Sequence, residues 1–168
     1  TGWSGTIIRC LDNQQSYDNL IADNVSGYTS ILIERETSFD ASKASANASA
    51  TVGKPMQIAA NATIAHLKMH VDQAAVSPIE IIDGAANVVF DDLTVSSTNE
   101  QSLVKVVGTG QKVTIRNGSL LLTSGKSNQS GFNIQNGGHE NTITALLEDT
   151  YIGFGATKLN VDKSQDYT

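Results

Sequence analysis

The sequence predicts an all-β solenoid, a right-handed parallel β-helix of about seven coils, and two observations carry that prediction. The first is a pair of apolar residues, two apart, that returns through the whole chain. The pairs are Ile8/Cys10, Ile31/Ile33, Met56/Ile58, Ile79/Ile81, Val104/Val106, Phe132/Ile134 and Leu159/Val161, in steps of 23, 25, 23, 25, 28 and 27 residues. The second is a further set of short apolar runs that keeps step with the first. Alternation at i and i+2 is the mark of a strand with one face inward. A constant return of 20 to 50 residues marks a repeat architecture.

Each row pair becomes one short strand per coil, and the rows stack about 4.8 Å apart, which makes a prism on the order of 30 Å tall. The side chain between each pair faces out. That column is Arg9, Leu32, Gln57, Glu80, Lys105, Asn133 and Asn160, mostly polar as a solvent wall requires. Glu80 over Lys105 is a candidate cross-strand pair, worth about 0.2–1 kcal/mol.

The second set begins with Ile64 to Val71, read as one alternating strand. It continues with Val88-Val89-Phe90 and Leu93-Thr94-Val95, then Val113-Thr114-Ile115 and Leu120-Leu121-Leu122, then Asn141 to Leu147 with Tyr151-Ile152 behind. Turn formers punctuate the runs at Asp83-Gly84, Gly108-Thr109-Gly110, Asn117-Gly118 and Asn136-Gly137-Gly138. Helix signal is weak. Its best candidate is the Ala/Ser-rich stretch at about 39–53, read as a loop or a short helix between rows. A β-sandwich explains the composition nearly as well, but not the return of one motif at nearly constant spacing.

The 168 residues make one domain. Without Met at Thr1-Gly2-Trp3, and stopping soon after a strand, the chain reads as a segment of a longer protein. Aromatic residues are only 5% of the chain, as a narrow tube with little room for rings would require. A net charge of −6 argues against a nucleic-acid surface, which needs a basic stripe. No apolar stretch has the length of a membrane span. The single cysteine, Cys10, cannot form an internal disulfide, and its place in the first row predicts a buried thiol.

Candidate chemistry is sparse. Asp91-Asp92, with Asp83 on the preceding turn, is the carboxylate group suited to acid and base roles in glycoside hydrolysis or to calcium. The competing reading is a solvated strand end. His66 and His70 would lie about 13 Å apart on one strand, too far for one metal ion. His139 beside Glu140 is a candidate base or sugar contact. Arg116 is a candidate contact for an acidic sugar, or a partner of Asp91 or Asp92 one coil below. Trp3 would stack on a sugar ring or cover the open end of the tube, and Tyr17 and Tyr28 are further candidates for exposed rings. No cofactor and no metal site are expected. The Asn-x-Ser/Thr triplets at Asn24, Asn47, Asn61, Asn117 and Asn128 assign no compartment in a chain so rich in these residues.

The row pairs, together with the segment Asn87-Val88-Val89-Phe90-Asp91-Asp92-Leu93-Thr94-Val95, resemble the pectate-lyase-like parallel β-helix superfamily. Within it the chain looks most like phage tailspikes and polysaccharide depolymerases. That resemblance implies binding or cleavage of a bacterial surface polysaccharide, a homotrimer, and a place in the virion tail or outside the cell. Galacturonan hydrolases of that superfamily carry Asn-x-Asp, Asp-Asp, Gly-His-Gly and Arg-x-Lys elements. Asp91-Asp92 matches the second. Gly138-His139 matches part of the third, with Glu140 in place of Gly. Arg116 is followed by Asn117-Gly118, so the fourth is missing. The leading expectation is a tailspike or tail-fibre shaft that binds glycan. The alternatives are a portion of a polysaccharide hydrolase or lyase, and a bacterial surface adhesin module.

Overall fold

The computed structural model describes residues 8–23, 30–43, 49–71, 76–98, 101–108, 110–123, 132–135 and 144–154. The chain enters through β1 (Ile8–Cys10) and helix α1 (Gln14–Ala22). Five coils of three strands follow. They are β2 (Ser30–Ile33), β3 (Thr37–Asp40) and β4 (Ser49–Val52); β5 (Met56–Ile58), β6 (Ala62–Ala65) and β7 (Lys68–Val71); and β8 (Ile79–Ile81), β9 (Asn87–Asp91) and β10 (Thr94–Ser97). The last two are β11 (Val104–Val107), β12 (Lys112–Arg116) and β13 (Ser119–Leu122), then β14 (Phe132–Gln135), β15 (Thr144–Glu148) and β16 (Tyr151–Phe154).

Every strand pairs with its counterpart one coil away, and every pairing is parallel. Three sheets result. Sheet 1 runs β1-β2-β5-β8-β11-β14, sheet 2 runs β3-β6-β9-β12-β15, and sheet 3 runs β4-β7-β10-β13-β16. The chain is thus an all-β solenoid of sequential coils. The row pair Leu159/Val161 lies outside the described residues.

Sheet 1 stacks its apolar pairs as alternation requires. Ile31 lies over Met56, Met56 over Ile79 and Ile79 over Val104, while Ile33, Ile58, Ile81 and Val106 make the parallel column. All of these are essentially inaccessible to solvent. Sheets 2 and 3 close the tube with Phe39, Ile64, Phe90 and Ile115, and with Val52, Val71, Met69, Val95 and Leu120. Outside, the Gln57 amide donates to the Glu80 carboxylate (3.2 Å), and Lys105 follows Glu80 in register.

Three details differ from the sequence reading. Arg9, not Ile8 or Cys10, lies in register with Ile31, and Leu11 is the buried residue that follows. The one-residue slip turns Cys10 to the outside, where its thiol is exposed. Second, Ile64 to Val71 is two strands and not one. Ile64 and Leu67 are both buried, and an odd spacing can face inward twice only if the chain bends between them. His66 supplies that bend, with φ 56°. Third, the nine-residue helix stands at Gln14–Ala22, while the residues described in the Ala/Ser-rich stretch run as the end of β3, a three-residue 3-10 turn (Ala41–Lys43) and β4.

Helix α1 covers the end of the tube beside β3 and β4, the terminal strands of sheets 2 and 3. Asn13 caps it: its side chain accepts from Ser16 N (2.8 Å), and Ser16 Oγ accepts from Asn13 N (3.2 Å). Tyr17, Leu20 and Ile21 form its buried face. The Gln14 side chain acts as a substitute strand. Its Nε2 donates to Asp40 O (2.7 Å) and its Oε1 accepts from Asp40 N (2.9 Å), which satisfies the edge of β3. Arg9 reaches Asp23 past the helix end at 2.9 Å.

Tyr17, read from sequence as an exposed aromatic, is fully buried and stacks on Phe39 with ring centroids 4.9 Å apart. Burial, with Asp18 and Asp40 nearby, pushes its phenol pKa far up. Its hydroxyl finds no hydrogen-bond partner among the described residues. A buried unsatisfied hydroxyl costs on the order of 1–3 kcal/mol. Tyr17→Phe keeps the ring stack and is expected to raise the melting temperature, read by circular dichroism. A lower melting temperature would mean that the hydroxyl is bonded.

Candidate functional site

The densest group of ionisable side chains lies along the corner between sheets 2 and 3. The chain turns this corner with only two residues between strands. The first takes a left-handed conformation in each of four successive coils: His66 (φ 56°), Asp92 (φ 56°), Asn117 (φ 49°) and Asp149 (φ 46°). Asn, Asp and His tolerate this region better than other non-glycine residues. Leu67 and Leu93 follow and turn inward. The corner keeps the ladder intact, because His66 N donates to Asp91 O (2.8 Å), Asp92 N to Arg116 O (3.0 Å) and Asn117 N to Glu148 O (3.0 Å).

The corner side chains bond from coil to coil. His66 Nδ1 lies 2.8 Å from Asp92 Oδ2. Asn117 Nδ2 donates to Asp91 Oδ1 (3.2 Å). Arg116 Nε lies 3.4 Å from Glu148 Oε2, so Arg116 pairs with the coil above and not with Asp91 or Asp92 below. His70, on the next strand, meets Ser96 Oγ at 2.7 Å. The His66–Asp92 pair is solvated, with side chains 45% and 60% exposed, so its attraction is screened.

The hydrogen bond to Asp92 holds the His66 pKa above the usual histidine value, with Asp40 and Asp91 adding to the effect. The Ser42 hydroxyl in turn holds Asp40 below the usual carboxylate range, helped by His66 and Lys43. A raised folded pKa stabilises the fold below the unfolded value of about 6.5, and that gain is lost as pH rises through the folded value. His66→Asn keeps a residue suited to the positive φ and removes the titration. Its loss of stability relative to the parent chain is expected to be larger at pH 5 than at pH 8.5 in urea titrations. Equal losses at both pH values would contradict the assignment.

Of the residues singled out from sequence, the fold brings Asp91, Asp92 and Arg116 to this one corner. Asp83 stands at the far end of β9, in the turn that leaves sheet 1, separated from Asp91 by a five-residue strand, about 16 Å. Trp3 and His139 lie outside the described residues. His66, Asn117 and Glu148 were not grouped with the aspartates from sequence. The signal that would have found them is a residue tolerant of positive φ directly after each strand of sheet 2.

Among the described residues no three His, Cys, Asp or Glu side chains are placed to hold one metal ion, and no helix is long and apolar enough to cross a membrane. No protein family model, curated protein or solved structure matches the chain.

Proposed function

We propose that this chain is a β-helical segment of a phage tailspike or tail fibre, a rigid shaft whose walls bind bacterial surface polysaccharide. The observation that carries the reading is the unbroken in-register stacking of three parallel sheets under polar outward columns. Such a stack gives stiffness along its axis, and its wall repeats at the spacing of the coils, which suits an extended polymer. Right-handed winding, in about seven coils, follows the strong preference for right-handed crossovers between parallel neighbours.

A homotrimer is part of the reading. Its support is the apolar surface left on the last described coil, where Leu146, Leu147, Tyr151 and Ile152 are 38–64% exposed. Light scattering of the purified chain is expected to give three times the 17.8 kDa chain mass. A monomer that binds no surface polysaccharide would overturn the proposal.

The contact between His66 and Asp92, with Asp91 alongside, supports a second reading, in which the corner cleaves the polysaccharide it holds. Asp92→Asn should then abolish cleavage, and unchanged cleavage would remove this reading.

A further inference from the structure

A different face carries a second arrangement. Where sheet 2 begins, Glu36, Thr37, Ser38, Asn61, Ala62, Thr63 and Asn87 line an open depression of about 430 Å³, toward the lower end of the range for small-ligand sites. Ser38 and Thr63 are register neighbours on the outward face, both exposed. Asn61 is fixed by its own bonds, its Oδ1 accepting from Ala86 N and Asn87 N, both at 2.9 Å. Its carbonyl is thus used by the next coil, and its Nδ2 donors remain for another partner. The strands hold the other groups, so little ordering is left for binding to impose.

The chemistry of this lining is specific. Hydroxyls and carboxamides both donate and accept, as the hydroxyls of a sugar require. Charge sits only at the two ends. Glu36 is the one ionisable lining residue, and Lys112 stands one coil beyond Asn87 in register. With a chain charge of −6, an acidic polymer is repelled overall.

We propose that this depression is a saccharide subsite that takes an uncharged sugar unit. The proposal rests on the reading of the walls as glycan-binding and places the contact on sheet 2, away from the Asp91/Arg116 corner.

The test is a panel of purified bacterial surface polysaccharides, uncharged and uronate-bearing, immobilised and probed with the full chain. Thr63→Tyr, which fills the depression, and the milder Ser38→Ala/Thr63→Ala pair are each expected to weaken binding to uncharged polymers at least tenfold. Lys68→Ala on sheet 3 is expected to stay within twofold. Melting curves show which variants remain folded, and the alanine pair keeps the test valid if the tyrosine does not fold. Binding of uncharged polymers that both variants leave unchanged would overturn the site. So would binding confined to uronate polymers and lost in Arg116→Ala. Either result leaves the glycan-binding reading standing. Binding to no polymer of the panel would remove both.

Discussion

Phe90→Ala is expected to destabilise the chain by about 3–5 kcal/mol, the usual cost of removing a buried aromatic ring. Phe90 is completely buried in β9, in register with Ile64 below and Ile115 above. In a narrow tube only the coils above and below can relax into the space, and both are pinned by the ladders on either side. A loss of this size is a large share of the 5–15 kcal/mol that holds a typical domain together. Because coils contact only their neighbours, the transition should also broaden as the stack divides at the weakened rung. Val89→Ala is the control, since Val89 is half-buried on the outer wall of the same strand and should cost well under half as much. Urea titration followed by circular dichroism reads both. A loss for Phe90→Ala no larger than that for Val89→Ala would contradict the assignment of inside and outside.

Gly84→Ala should be nearly as damaging, although it adds a single methyl group. Gly84 is the third residue of the turn closed by Ala85 N donating to Ile82 O (3.3 Å), and its φ is +100°. That position of a type II turn needs a positive φ. A β-carbon there would stand 2.3 Å from the carbonyl oxygen of Ala59, a backbone atom of the coil below that cannot swing aside. The strained backbone costs about 1–3 kcal/mol, and the overpacking adds about 1–3 kcal/mol. The measurement is the urea midpoint. Gly110→Ala is a useful comparison, because its β-carbon meets nothing within 4 Å while its φ is also positive, at 64°. If the two variants lost the same stability, the close approach of Gly84 to Ala59 would not be real.

The stacked rows of sheet 1 were legible because alternation and coil length both leave direct marks on sequence. Ile31/Ile33, Met56/Ile58 and Ile79/Ile81 are two apart, and each lies a coil from the next. The start of the tube was not legible. Ile8, Cys10 and Leu11 are all apolar, so apolarity could not decide the register, and the charged Arg9 in the inward register is tolerated only because Asp23 meets it at the tube end. Helix α1 escaped notice because three buried residues, Tyr17, Leu20 and Ile21, make too narrow a stripe. Its Asn13/Ser16 cap also lacks the acidic third residue that usually marks such a start.

The candidate corner was half legible. Asp91 and Asp92 are adjacent in sequence and hard to miss. His66, Asn117 and Glu148 lie about one coil or more away, and only the register between coils brings them together. The partner of Arg116 was misjudged for the same reason. Sequence places Asp91 and Glu148 equally on its two flanks, and the side-chain direction that selects Glu148 is a property of the folded corner.

The central claim is that successive coils lie in parallel register, and nitroxide spin labels test it most directly. With Cys10 replaced by Ser, labels at Glu80 and Lys105 occupy facing outward positions on β8 and β11. Labels at Gln57 and Lys105 are two rungs apart, about 10 Å between backbones. Strong dipolar broadening for the first pair and clearly weaker broadening for the second is the predicted result. Equal spectra for the two pairs, or no broadening between Glu80 and Lys105, would contradict the stacked solenoid.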